Sequence, residues 1–185
     1  MGKSNYFSSK SVFGQLISLI VVKKNIFMKC IILLLITLNL NVNAQTSTFK
    51  TGRISEAKLK IIRENFGWKT DNVIILNFLQ PKQNCHYNNY SKIKRSVSWW
   101  ADFYAKMELK EAENKYVYSD SSAAKSIIDD ITYFSDRNNF LLNTFFSDTP
   151  YCRGIVLINY EGFYKSKGSE YSETEVTNFL TALYN

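Results

Sequence analysis

Cys85 and Cys152, about 67 residues apart, are the residue pair in this chain best suited to chemistry. Thiol–disulfide exchange needs a thiolate nucleophile and a second sulfur that resolves the mixed disulfide. Cys85 stands one or two residues before the start of an expected helix. There the helix dipole and free backbone N–H groups favour the thiolate. Lys82 and His86 can add positive potential, and Cys152 can supply the second sulfur. The same pair has plainer uses. A structural disulfide closing so long a loop is typically worth about 2–4 kcal/mol, and two unpaired thiols are the third arrangement. Sequence alone leaves all three open.

Other reaction classes find little support. His86 is the single histidine. With Cys85 and Cys152 it would make at most a three-ligand metal site. Adjacent Cys and His chelate one ion poorly and no fourth ligand is evident, so no metal is expected. No cofactor is expected either. A serine triad would have to use His86, and no Gly-x-Ser-x-Gly elbow is present. Asp129 and Asp130 are adjacent on an expected helix, where neighbours point in different directions, so they read as surface charges. Lys92, Lys94 and Arg95 read as a solvated helix side, and Trp99-Trp100 as core.

The compartment follows from the start of the chain. Met28-Lys29-Cys30 is followed by an apolar run, Ile31 to Leu38, and then by Asn39 to Ala44. Val42 and Ala44 occupy the −3 and −1 positions before Gln45, the layout of a cleavable secretory signal over residues 28–44. The run is far shorter than the roughly 20 residues of a membrane-spanning helix. Residues 1–27 hold a second apolar stretch, Val12 to Val22, then Lys23-Lys24. They read as an extended n-region or as a misassigned start before Met28, and the second reading is preferred. Cys30 precedes the apolar core, so it is not placed as a lipid anchor. The expectation is an exported protein, periplasmic or secreted, with no integral membrane span after cleavage.

Of 23 Lys and Arg, five precede Gln45, and none of the 16 acids do. Residues 45–185 thus carry 18 basic against 16 acidic residues, a net charge near +2. That gives no reason to expect nucleic acid or anionic lipid as partner. About 140 residues suit one domain with one core. In an oxidising compartment two cysteines are commonly one disulfide.

The elements that would position the cysteines can be read in order. Residues 45–52 are polar and expected to be a loose start. Ser55 caps a helix to about Phe66, with Leu59, Ile62 and Phe66 on one face and Gly67 as its stop. Residues 72–79 are nearly continuously apolar, as in a buried central strand. After a loop containing Pro81 comes a long helix. Tyr87, Tyr90, Ile93, Val97, Trp100, Tyr104 and Met107 recur at its period, and Trp99 and Phe103 widen the face.

Residues 115–119 form a short strand. Asp120 or Ser121 caps a further helix, with Ala124, Ile127, Ile128, Ile131 and Phe134 inward. Residues 135–153 are irregular, with a strand or helical turn at 140–146. Residues 154–160 and 163–167 form a hairpin about Glu161-Gly162. Ser172 and Glu175 make a capping box for a last helix that turns Val176, Phe179, Leu180 and Leu183 inward. The expected class is α/β, a mixed sheet in the order α-βαβα-ββα with helices on both faces.

That order resembles the thioredoxin-like fold, in its exported thiol–disulfide reductase branch. Val73-Ile-Ile-Leu-Asn-Phe78 is similar to the family's first core strand, which leads into a Cys-x-x-Cys at a helix start. Gly154-Ile-Val-Leu-Ile-Asn-Tyr-Glu-Gly162 is similar to the strand and turn that follow the family's cis-proline. The resemblance covers roughly residues 70–183 and makes residues 45–185 a single thioredoxin-like domain. It departs at the motif, because Gln83 and His86 stand at the two cysteine positions around Cys85. Thr149-Pro150 has the family's Thr-Pro form but lies several residues early, and Arg153 is nearer the expected place.

The resemblance implies that the loop before the third core strand packs beside the reactive loop, bringing Cys152 towards Cys85. It implies catalytic roles for Cys85 as nucleophile and Cys152 as resolving sulfur. His86, Pro150, Tyr151 and Arg153 would contact substrate, and the partner would be a protein thiol client. Loss of Cys-x-x-Cys leaves a second implication, a redox-inactive binding module with a structural disulfide.

Overall fold

A computed structural model describes residues 49–82, 85, 90–109, 112–147 and 151–184. The expected signal at 28–44, the segment 1–27, His86, Tyr87 and Pro150 lie outside the described residues. Those described belong to one unit, Ser47–Asn185. Its elements are β1 (Lys50–Arg53), α1 (Glu56–Asn65), β2 (Ile74–Leu79), α2 (Ile93–Ala105), β3 (Glu113–Tyr118), β4 (Tyr133–Ser135), β5 (Arg153–Ile158), β6 (Phe163–Lys167) and α3 (Glu173–Tyr184). Single turns of 3-10 helix cover Tyr90–Lys92 and Arg137–Asn139, and a π-helical turn covers Leu142–Phe146.

The strands make one six-stranded mixed sheet, β1-β6-β5-β2-β3-β4. β2 pairs parallel with β3 and antiparallel with β5. β3 pairs parallel with β4, and β6 pairs antiparallel with both β5 and β1. β2 is buried at all six positions. This accounts for its continuous apolar run, because a strand covered on both faces has no side on which alternating polar residues could meet water.

Alternation along the strands sorts two cores. Ile74, Leu76 and Phe78 of β2 join Val117, Val156 and Ile158 against Leu59, Ile62 and Phe66 of the α1 region and Phe145 and Phe146 of the π turn. Ile75 and Leu79 join Tyr116, Tyr118, Ile155 and Leu157 against Ile93, Trp100, Phe103 and Tyr104 of α2 and Val176, Phe179 and Leu180 of α3. Helices therefore cover both faces of the sheet.

The local signals at α1, α3 and the hairpin act as expected. Ser55 Oγ accepts from the Lys58 N–H. Ser172 Oγ accepts from the Glu175 N–H while Glu175 Oε2 accepts from the Ser172 N–H, closing the capping box. Gly162 takes φ +87°, a value costly for residues with a Cβ, and its N–H donates to Asn159 O at 2.9 Å.

Four expectations are corrected. Lys50–Arg53 is an edge strand rather than a loose start. The long helix is bounded at Ile93–Ala105, with Ser96 buried and Val97 only half-buried. Trp99 is 50 % exposed, so only Trp100 of that pair is core. The helix expected over 120–134 does not form. Asp120 starts it, taking the Ala123 N–H on Oδ1, and turns continue to about Ile127. Asp129 Oδ1 then accepts the N–H groups of Ile131, Thr132 and Tyr133, each at 2.8 Å. Asp130 turns to φ +53°, and the chain leaves as β4 with Ile131 71 % exposed. A side chain that takes three successive backbone donors removes them from any helix ladder.

Candidate functional site

β2 and β5 bring the two cysteines together. Their antiparallel register ends with Leu79 opposite Arg153. One step further, the Gln80 N–H donates to Cys152 O at 2.8 Å. The Cys85 N–H donates to Lys82 O at 3.0 Å, and the Lys82 N–H points back at Cys85 Sγ, 3.0 Å away. Cys85 and Cys152 are joined as a disulfide with an S–S distance of 1.99 Å, χ3 of −98° and a Cα–Cα distance of 6.0 Å. The link thus ties the carboxyl end of β2 to the entry of β5. Cys85 is 3 % exposed, whereas Cys152 is half-buried.

The helix start expected one or two residues after Cys85 falls outside the described residues. Among the described residues the helical run begins with the Tyr90–Lys92 turn and α2 at Ile93. The Lys82 backbone N–H is a donor adjacent to the Cys85 sulfur.

Of the other expected site residues, Tyr151 and Arg153 flank Cys152 in the chain and are half-buried. Arg153 is held by an ion pair and two aromatic rings. Its Nη2 donates to Glu170 Oε1, and its guanidinium carbon lies 5.5 Å from the Trp100 ring centre and 5.8 Å from that of Trp99. Such cation–π contacts, with the ion pair, hold the entry of β5 against α2 and the segment before α3. His86 and Pro150 lie outside the described residues.

A buried polar network beneath α2 was not expected from sequence. Asn77, in the middle of β2 and fully buried, uses its whole amide. Its Nδ2 donates to Asn114 Oδ1 at 2.6 Å and to Lys115 O at 2.9 Å. Its Oδ1 accepts from the Tyr104 hydroxyl and, at 2.7 Å, from the Tyr171 hydroxyl. Asn114 Nδ2 donates onward to the Tyr116 hydroxyl at 3.1 Å. Burial pushes the Tyr104 hydroxyl well above the ordinary tyrosine range, and the neighbouring Tyr171 and Tyr116 push it further. Burial likewise raises Tyr171 and Tyr116. The network is therefore neutral at physiological pH and joins β2, β3, α2 and the lead-in to α3 through an Asn77 amide whose donors and acceptor are all paired. It holds in place the strand whose end carries the disulfide.

Beside this framework a cleft of about 570 Å³ opens along α2 and the start of α3, lined by Trp99, Asp102, Phe103, Lys106 and residues 172–174. Trp99 stacks on Phe103 with ring centres 5.4 Å apart and is half-exposed. No group of three or more His, Cys, Asp or Glu side chains that could hold a metal ion occurs among the described residues. The sulfurs are spent in the disulfide, and metal ligation by cysteine requires thiolate. No helix among the described residues is long and apolar enough to cross a membrane. Compared with known proteins, the chain matches no family model and no curated protein.

Proposed function

We propose that this is an exported thioredoxin-like protein whose Cys85–Cys152 disulfide exchanges with the thiols of a protein client. The observation that carries the reading is the position of that disulfide at the carboxyl end of the central strand β2, with Cys152 half-buried. In α/β sheets the crevice outside the carboxyl ends of the strands is where ligands are bound. The element order from β2 onward supports the thioredoxin-like part of the proposal. A parallel β2-α2-β3 unit is followed by the antiparallel β5–β6 hairpin and a closing helix, with α2 and α3 on one face. Export rests on the signal-like residues 28–44 and agrees with two cysteines held as a disulfide.

The reaction runs without a cofactor. A client dithiol is oxidised to its disulfide while Cys85 and Cys152 are reduced to thiols, and a disulfide-bearing oxidant reverses the step. The test is a rate measurement. The exported protein is mixed with a dithiol peptide, and loss of peptide thiol is followed beside the Cys152→Ser variant. Acceleration that the variant lacks supports the proposal, and no acceleration over free peptide contradicts it. Intact mass of the exported chain tests cleavage after Ala44.

A second reading is a redox-inactive binding module in which the disulfide is only a staple. It is favoured by the 3 % exposure of Cys85 and by the half-exposed Trp99 beside its cleft. Tryptophan is among the residue types enriched at the sites that carry binding energy between proteins.

A further inference from the structure

We propose that exchange enters through Cys152, with Cys85 as the leaving and later resolving sulfur, the reverse of the order that the family resemblance implies. The inference rests on the exchange reading above and assigns the two sulfurs unequal roles within it. Three features of the site point the same way.

The first is access. An incoming thiolate must reach the sulfur it attacks, and access together with the leaving sulfur decides which one that is. Cys85 is 3 % exposed, with its N–H bonded to Lys82 O, whereas Cys152 lies half-buried at the entry of β5. The second is the leaving group. A sulfur that leaves as the better-stabilised thiolate leaves faster. The Lys82 N–H is already aimed at Cys85 Sγ from 3.0 Å, so charge arriving on that atom meets a donor in place. Hydrogen bonds to the charged form of a group favour that form. The third is retention. The Gln80 N–H bond to Cys152 O survives when the sulfurs part, so Cys152 stays paired to the chain that carries Cys85 and remains within reach for resolution.

The steps balance. Client thiolate attacks Cys152 Sγ along the S–S axis, forming the client–Cys152 bond and expelling Cys85 as thiolate. The client's second thiolate then attacks its own sulfur in the mixed disulfide, forming the client disulfide and releasing the Cys152 thiolate. Both cysteines take up protons from solvent. In the reverse direction, the Cys85 thiolate attacks Cys152 Sγ of a mixed disulfide and expels the partner.

Reduced glutathione is the probe. The oxidised full-length exported protein is treated briefly, quenched with acid, and the glutathione adduct is located by peptide mass spectrometry while the freed thiol is alkylated. The account expects at least tenfold more adduct on Cys152 than on Cys85, with alkylation on Cys85. Reaction of oxidised glutathione with the single variants Cys85→Ser and Cys152→Ser gives a second measure. Cys152 in the first should be captured at least tenfold faster than Cys85 in the second. Adduct mainly on Cys85, or equal on both, overturns the assignment while leaving exchange standing. No adduct on either sulfur, with the disulfide still intact, overturns the exchange reading and this inference with it.

Discussion

Replacing Asn77 by alanine should cost more than any other substitution of a single small polar residue described here. The amide makes four hydrogen bonds in a site closed to water. A typical internal hydrogen bond is worth about 1 kcal/mol net, while a buried group left without its partner costs about 1–3 kcal/mol. Truncation removes four bonds and deprives the Tyr104 and Tyr171 hydroxyls, the Asn114 carbonyl and Lys115 O of their common partner. Some of these groups can relax towards one another, so the expected loss is about 3–5 kcal/mol, set against the 5–15 kcal/mol by which domains are generally stable. Urea unfolding of the oxidised protein measures it as a lowered midpoint at unchanged slope.

The double variant Asn77→Ala, Tyr104→Phe sharpens the test. It removes a hydroxyl that the first change orphaned, so its loss should fall short of the two single losses added together, by about 1 kcal/mol or more. A loss below about 1 kcal/mol for Asn77→Ala, or strict additivity in the double variant, would refute the claim that this amide joins α2 and α3 to the strand beneath them.

Four further outcomes are expected. Gly154→Ala should destabilise by about 1–3 kcal/mol, because an added Cβ would lie 2.4 Å from the Phe146 ring that stacks on Phe78; wild-type stability would contradict that packing. Trp100→Ala should cost about 3–5 kcal/mol, whereas Trp99→Ala, at a ring 50 % exposed, should cost far less, and thermal unfolding compares the two directly. Stability should fall as pH rises above about 10. Tyr104, Tyr116, Tyr118 and Tyr171 have folded pKa values raised by burial, so the unfolded chain loses those protons first; denaturation followed against pH checks the sign. Glu175 shifts the other way. Burial raises it, but the Lys167 ammonium at 2.7 Å and the Ser172 N–H outweigh that and hold it low. Its contribution is thus present above the usual carboxylate range and lost as acid protonates the folded form, a loss that Glu175→Gln should remove.

The legible parts of the fold are those whose signals are local. The Ser172–Glu175 box, the Ser55 cap and the unbroken apolar run of β2 each state their structure within a few residues. The missed parts depend on partners far along the chain. Lys50-Thr51-Gly52-Arg53 has no strand pattern, since all four residues are exposed, and it is a strand because β6 offers an open edge. Ala124, Ile127, Ile128, Ile131 and Phe134 do recur at a helical period, but Asp129 captures the donors and Phe134 is buried in β4 opposite Val117. At the site, the two cysteines and their neighbour Arg153 were readable by type. The role of Asn77 was not, because its partners lie on β3, on α2 and just before α3, and Asn within an apolar strand carries no mark of what it will bond.

The exchange account is tested most directly by equilibrating the purified oxidised protein across a graded thiol–disulfide buffer and counting alkylated Cys85 and Cys152 by intact mass. It predicts that the bond opens near the poise of an oxidising compartment, at about −180 to −210 mV. A bond still closed below about −300 mV would contradict it and make the disulfide a staple in a binding module.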